Sequence, residues 1–145
     1  MKILIGLDDS KFSGDVIRSV VGQFRTENTE VLVIHVLQPV EPVAPPEMAQ
    51  GYAPELEDQK EPAHALVDRA AGELRAAGFK THTAVEVGDV RESILDAAAK
   101  WDADLLVVGS HGRRGLQSLL LGSVAESVAR DAKCSVEIVR AATNY

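Results

Sequence analysis

The residues in this sequence best suited to carry chemistry are glycines near its end: Gly109, Gly112 and Gly122. They stand in the stretch DLLVVGSHGRRGLQSLLLGSVAESV, in which Ser123 directly follows the last of them. A glycine has no Cβ atom, so its peptide N–H can come close to an anion. A helix that begins after Gly122 would add first-turn N–H groups and a favourable dipole. The spacing therefore fits a cradle for phosphates, to which the Ser123 hydroxyl and the charge of Arg113 could contribute.

The same residues also have a purely structural interpretation. Ser123 and Glu126 have the spacing of a capping box, which would occupy the serine hydroxyl without any ligand. Glycines that follow strands are common turn residues. The stretch lacks the Gly-Lys-Ser/Thr of a P-loop, and its first glycines are too far apart for a dinucleotide fingerprint. The spacing alone does not decide between the phosphate-binding and the structural interpretation.

Carboxylates and histidines are the other side chains in this sequence that could bind a ligand or a metal ion. Asp8 and Asp9 could hold a divalent cation or end a strand, and we expect Asp8 to contact a polar ligand and Asp9 to face solvent, without a dedicated metal site. The four histidines show no metal-ligand spacing with one another or with Cys134, and His35 is predicted to be a hydrogen-bonded residue in or near the core. If the phosphates were those of ATP, hydrolysis would need a residue that positions the attacking water. We identify no such residue, so we do not predict an efficient ATPase.

Length, charge and composition narrow the class of protein. The 145 residues are predicted to form one domain, 1–145, large enough to bury a core without disulfides or metals. A net charge of −7 argues against nucleic acid as a partner. The single cysteine excludes an intrachain disulfide, and no apolar run has the length of a membrane span or a signal peptide. These features favour a cytoplasmic protein with no membrane partner.

Apolar strand-like runs alternate with amphipathic segments along the whole chain. The runs are KILIG, EVLVIHVL, FKTHTAVEV, DLLVV and CSVEIVR. This alternation predicts an α/β fold with a mostly parallel five-stranded sheet, order 3-2-1-4-5, and helices on both faces. Residues 39–61 are rich in proline and acidic residues and are predicted to form a loop, with Pro62 in the first turn of the next helix. In this strand order LDDS and GSHGRRG meet in the crevice where ligands bind.

The passages KILIGLDDS, VGDVRESILDAAAKWDADLLVVGSHG, GRRGLQSLLLGSVAESV and CSVEIVR together resemble the universal stress protein family. The resemblance covers essentially the whole chain except the proline-rich loop, and it implies an adenine nucleotide alpha hydrolase-like, Rossmann-like fold. The glycine spacing is that of members that bind ATP, with Mg²⁺ or Mn²⁺ accompanying the phosphates. It further implies a homodimer through the C-terminal strand, about 135–140. One departure is Ser135, where the family commonly has proline.

The resemblance also implies which residues surround the nucleotide. Those against the adenine and ribose would be Leu7, Asp8 and Val36. Those around the sugar and phosphates would be Val108, Gly109, Gly112, Gly122, Ser123 and Val124, with His111 and Arg113 in the intervening loop.

The resulting hypothesis is an ATP-binding universal stress protein that acts as a nucleotide-responsive regulator in the stress response and not as a metabolic enzyme. Two alternatives stay open. One is a dimeric interaction module of the same fold that binds no nucleotide. The other is an enzyme, either a slow ATPase or a nucleotidyl transferase, although LDDSKFS differs from the Ser-Gly-Gly-x-Asp-Ser loop that adenylating relatives carry after strand one.

Overall fold

A computed structural model describes residues 1–39, 53–110 and 121–140, and for residues 53–56 only the backbone. The helices are α1 (Ser13–Gln23), α2 (Ala53–Ala76), α3 (Val90–Lys100) and α4 (Ser123–Asp131). The strands are β1 (Lys2–Gly6), β2 (Glu30–Leu37), β3 (Lys80–Val87), β4 (Leu105–Gly109) and β5 (Ser135–Val139).

The five strands form one sheet in the order β3-β2-β1-β4-β5, and all four pairings in it are parallel. Both the predicted fold class and the predicted strand order are confirmed. The chain runs outward from β1 to β2 and β3, then returns to the other side of β1 as β4. Because the strands are parallel, the carboxyl ends of β1 and β4 lie side by side at this reversal.

Each face of the sheet carries its own apolar layer. Ile5 and Val107 pack on the face covered by α1 and α2, whereas Leu4 and Leu106 pack on the face covered by α3 and α4. Successive side chains of a strand point to opposite faces, so a strand covered on both sides needs apolar residues at every position. This requirement explains the unbroken apolar runs ILIG (residues 3–6) and LLVV (residues 105–108) in the centre of the sheet.

Helix α2 begins at Ala53, so the prediction that residues 53–61 form a loop and that Pro62 opens the helix was wrong. Pro62 lies inside the helix, although a proline there removes one backbone hydrogen bond. Glutamate, glutamine and lysine, which are strong helix formers, precede the proline. An ion pair of 2.8 Å between Glu57 and Lys60 adds local support. Residues 40–52 of the predicted loop lie outside the described residues.

The helices α1 and α3 begin differently. Asp89 caps α3, because its Oδ1 accepts a hydrogen bond of 3.0 Å from the backbone N–H of Glu92. Ser13 does not cap α1: Phe12 occupies the N-cap position and makes no side-chain cap. Asp15 does lie in the first turn of α1, where its negative charge favours the helix dipole.

Strands β3 and β5 form the two edges of the sheet. The exposed residues of β3 at Lys80 and His82 alternate with the buried Thr81, as its sequence pattern predicts. The residues of β5 are half-buried or exposed. Pairing of β5 with a second copy of the chain stays a prediction. Among the helices of the described residues, none has the length and apolar character needed to cross a bilayer.

Candidate functional site

The turn after β1 holds two of the predicted site residues. The N–H of Leu7 donates to the carbonyl oxygen of Ile34 at 2.9 Å, which extends the β1–β2 pairing past the end of β1. The Oδ1 of Asp8 then accepts from the backbone N–H of Ser10 at 2.9 Å, an arrangement typical of aspartate in a turn. The half-buried Asp8 carboxylate is thus fixed by its own turn, whereas Asp9 is exposed, as predicted.

The end of β4 is tied to the start of α4 by backbone hydrogen bonds. The N–H of Ser110 donates to the carbonyl oxygen of Val139 at 2.8 Å, and the Ser110 carbonyl accepts from the N–H of Gly122 at 2.7 Å. Gly122 has φ −64° and ψ 160°, an extended conformation that any residue adopts. The backbone therefore does not require glycine here, and the remaining consequence of glycine is space beside the helix start.

The first turn of α4 offers backbone donors. Gly122 is the N-cap and Ser123 the first helical residue, so the capping box of the structural interpretation does not form. The reason is the extended conformation of Gly122, which shifts the serine one position too far along to accept from the third helical N–H. The first bond inside the helix joins the Glu126 N–H to the Gly122 carbonyl at 3.0 Å. The N–H groups of residues 123–125 precede that bond, and α4 has no side-chain cap hydrogen bond.

The apolar residues predicted around the nucleotide pack in the two apolar layers of the sheet. Val108 and Val36 are 2% and 7% exposed and pack in the layer under α3 and α4, so a ligand could reach only their backbones. Val124 is half-buried against the same layer. Leu7 lies on the opposite face, in the layer under α1 and α2.

A small cavity of about 20 Å³ joins the ends of β1 and β4, and we call it the β1–β4 cavity. It brings together the predicted residues Leu7, Asp8 and Gly109. Its full lining is Gly6, Leu7, Asp8, Ser10, Phe12, Ser13, Val16 and Gly109. Its volume is near that of a single water molecule, so it marks where the two strand ends meet and could not enclose a nucleotide.

A larger cleft of about 430 Å³ lies beyond the end of β2 and beneath the first half of α2, and we call it the α2 cleft. Its lining is Asp9, His35 and Leu37 from the strand ends and Asp58, Gln59, Pro62, Ala63 and Leu66 from α2. This volume is typical of small-molecule sites. Sequence reasoning missed the α2 cleft because it assigned residues 53–61 to a loop.

His35 connects the α2 cleft to the turn after β1. Its Nδ1 lies 2.7 Å from the carbonyl oxygen of Leu7, and its side chain is half-buried. The prediction of a hydrogen-bonded histidine in or near the core is confirmed. The alternation within β2 was the available signal for the cleft, because it places His35 and Leu37 on the face that α2 covers.

Three predicted residues, His111, Gly112 and Arg113, lie outside the described residues. In the described ranges, no group of three or more His, Cys, Asp or Glu side chains could hold a metal ion. The donors that the described residues offer at the start of α4 are backbone N–H groups, and such groups bind anions.

Comparison with known proteins agrees with this architecture. The model of the universal stress protein family matches residues 1–140. Universal stress protein Sll1388 of Synechocystis is 31% identical over 150 residues, covering 96% of this chain and 97% of the relative. The fold is similar to that of protein MJ0577 of Methanocaldococcus jannaschii (TM-score 0.85, 28% identity, 99% and 97% of the two chains covered). It is also similar to a universal stress protein in complex with cAMP (TM-score 0.71, 26% identity, 98% of each chain covered). The chain belongs to the universal stress protein family.

Proposed function

We propose that this protein binds an adenine nucleotide in the crevice at the carboxyl ends of β1, β2 and β4. The observation that carries the proposal is the first turn of α4, which presents the N–H groups of residues 123–125 without a side-chain cap. Such a turn combines N–H donors that precede the first intrahelical bond with the positive end of the helix dipole, which favours phosphate. A relative of the same fold that binds cAMP supports the choice of an adenine nucleotide.

The described residues suggest how the parts of a nucleotide would be held. The phosphates would lie against α4, where Gly122 has no Cβ to keep them away. Asp8, whose Oδ1 already accepts from the Ser10 N–H, would accept hydrogen bonds from the ribose hydroxyls. We propose ATP as the ligand, with Mg²⁺ or Mn²⁺ arriving on the phosphates, because Mg²⁺ is usually bound through few carboxylates together with substrate phosphates.

We further propose that the protein acts as a nucleotide-responsive regulator and not as a metabolic enzyme. Hydrolysis needs a group that orients the attacking water and a positive charge at the γ-phosphate. We identify no residue in the sequence that would orient that water. A nucleotide that touches both the β1 turn and α4 would instead bias the surface that these two elements present to a partner.

Thermal unfolding with and without ATP–Mg²⁺ tests the binding proposal. A ligand at 100 times its Kd stabilises the native state by about 2.7 kcal/mol, which raises the Tm of a domain of this size by roughly 5–10 °C. A wild-type protein whose Tm does not change at millimolar ATP–Mg²⁺ would contradict the proposal. Steady-state phosphate release well above background would contradict the non-enzymatic role.

The variant Gly122→Val tests whether the phosphates bind at the start of α4. Valine accepts the φ of Gly122, so the fold should survive, but its side chain would stand where the phosphates approach. We expect the Tm without nucleotide to be nearly unchanged and the rise with ATP to be lost. Gly72→Val in α2 is the matched control, because a Cβ there meets nothing within 4 Å. Retention of the full ATP effect in Gly122→Val would remove α4 from the site.

A further inference from the structure

We propose that His35 selects the base of the nucleotide, by accepting a hydrogen bond from its exocyclic amino group at Nε2. This inference rests on the proposed function and assigns the α2 cleft to the base. His35 would be a specificity-determining residue that contacts the ligand directly.

The hydrogen bond to Leu7 fixes the tautomer of His35. A carbonyl oxygen can only accept, so the Nδ1 that lies 2.7 Å from the Leu7 oxygen must carry the proton. In the neutral ring Nε2 is then an acceptor. No partner for Nε2 occurs among the residues that the structure describes, and the ring borders the α2 cleft. The cleft therefore contains an oriented acceptor.

The other polar groups of the α2 cleft favour the same kind of ligand edge. Asp58 contributes a carboxylate, and none of the described residues that line the cleft is a lysine or an arginine. A carboxylate and a histidine lone pair attract N–H donors and repel phosphate oxygens, and a histidine lone pair at the 6-substituent would attract the amino group of adenine and repel the oxo group of hypoxanthine or guanine. Leu37 and Leu66 supply apolar surface for the flat faces of a base. The cleft thus fits the amino-bearing edge of adenine.

The position of the α2 cleft agrees with phosphates at α4. Leu7 holds His35 through its carbonyl oxygen and also lines the β1–β4 cavity, which extends to Gly109. The cleft and the start of α4 therefore lie on opposite sides of the turn after β1. A nucleotide with its base beneath α2 and its phosphates at α4 would cross that turn, where Asp8 can meet the ribose.

Calorimetric titration with three nucleotides tests the role of His35. ATP carries the 6-amino group, purine riboside triphosphate has hydrogen in its place, and ITP has an oxo group. We expect wild-type protein to bind ATP about tenfold more tightly than purine riboside triphosphate, the effect of about one hydrogen bond, and ITP more weakly still. In His35→Phe the ratio between ATP and purine riboside triphosphate should fall to about one. His82→Phe, on the exposed face of β3, should keep the wild-type ratio.

The outcomes separate this inference from the proposed function. If wild-type protein binds none of the three nucleotides, the proposed function fails, and this inference fails with it. If wild-type protein binds ATP and His35→Phe keeps the tenfold preference, only the role of His35 is overturned.

A second measurement needs no variant and covers the case in which His35→Phe does not fold. The ¹⁵N resonance of His35 Nε2 should shift when wild-type protein binds ATP and remain in place when it binds purine riboside triphosphate. An identical response to both nucleotides would overturn the assignment.

Discussion

Replacing Ser123 by proline removes one proposed phosphate donor and little else. Ser123 is the first residue of α4, the position at which proline is well tolerated in helices. The residue before a proline must be extended, and Gly122 already is, with ψ 160°. The first hydrogen bond inside the helix uses the Glu126 N–H, so no intrahelical bond is lost. We expect the stability without ligand to change by no more than about 0.5 kcal/mol.

The effect on ATP binding should be much larger than the effect on folding. A hydrogen bond to a charged group contributes about 1.5–3 kcal/mol, so loss of the Ser123 N–H should weaken ATP roughly 10- to 150-fold. Ser123→Ala is the matched control, because it deletes the hydroxyl and keeps the N–H. Adenosine, which has no phosphate, should bind Ser123→Pro and Ser123→Ala equally well.

Isothermal titration of the two variants with ATP and with adenosine measures both effects. Equal ATP affinity in Ser123→Pro and Ser123→Ala would show that the α4 amide does not contact phosphate. Equal losses of ATP and adenosine affinity would show that proline acts through the shape of the site, which would also refute the reasoning. Circular dichroism and thermal unfolding without ligand confirm that each variant is folded.

The remaining predictions concern stability and pH. Gly6→Ala places a Cβ 3.0 Å from the end of an isoleucine side chain and should destabilise the fold by roughly 1–3 kcal/mol; Gly72→Ala meets nothing within 4 Å and should stabilise it by roughly 0.5–1 kcal/mol in urea unfolding. Asp89→Ala removes the α3 cap and should cost about 1 kcal/mol in the same assay, with an unchanged m-value. A hydrogen bond from His82 is the largest of the causes that hold the pKa of Glu30 below its usual value. An NMR titration of His82→Phe should therefore show the Glu30 pKa rising. In wild-type protein the stabilisation from the Glu30 carboxylate is present above the unfolded-state pKa of Glu30 and is lost as the pH falls through its folded-state pKa. His82→Phe should therefore be less stable than wild type only at pH values above these two pKa values.

The strands and their order follow from the sequence because burial on both faces leaves a simple pattern. The segments Ile3–Gly6 and Leu105–Val108 have no polar position, a pattern typical of a strand buried between two helical layers. FKTHTAVEV alternates because β3, at the edge of the sheet, has one face more exposed than the other at Lys80, Thr81 and His82. Short crossovers of one hand then leave few strand orders, and the observed one is among them.

Two helix starts depend on a residue that is favourable in two different local structures. Pro62 is favourable in a first turn and costly in a helix interior, so sequence reasoning placed the start of α2 at the proline. The helix formers before it outweigh that cost, and α2 begins at Ala53. Ser123 can be an N-cap or a first helical residue, and the extended Gly122 decides between them. The misplaced start of α2 hid the α2 cleft, whereas the sequence already indicated first-turn N–H groups after Gly122.

The corrected start of α2 gives the crevice a polarity of which the sequence indicated only the end at α4. At α4 the available groups are N–H donors beside a positive dipole end. At the α2 cleft they are acceptors, from His35 and from the Asp58 carboxylate. A ligand that satisfies both ends must carry acceptors with negative charge at one end and N–H donors at the other. An adenine nucleotide has this arrangement, whereas an inosine nucleotide presents an oxo group where the cleft offers acceptors. The two ends can therefore be tested separately, because Ser123→Pro should change affinity according to the phosphates and His35→Phe according to the base.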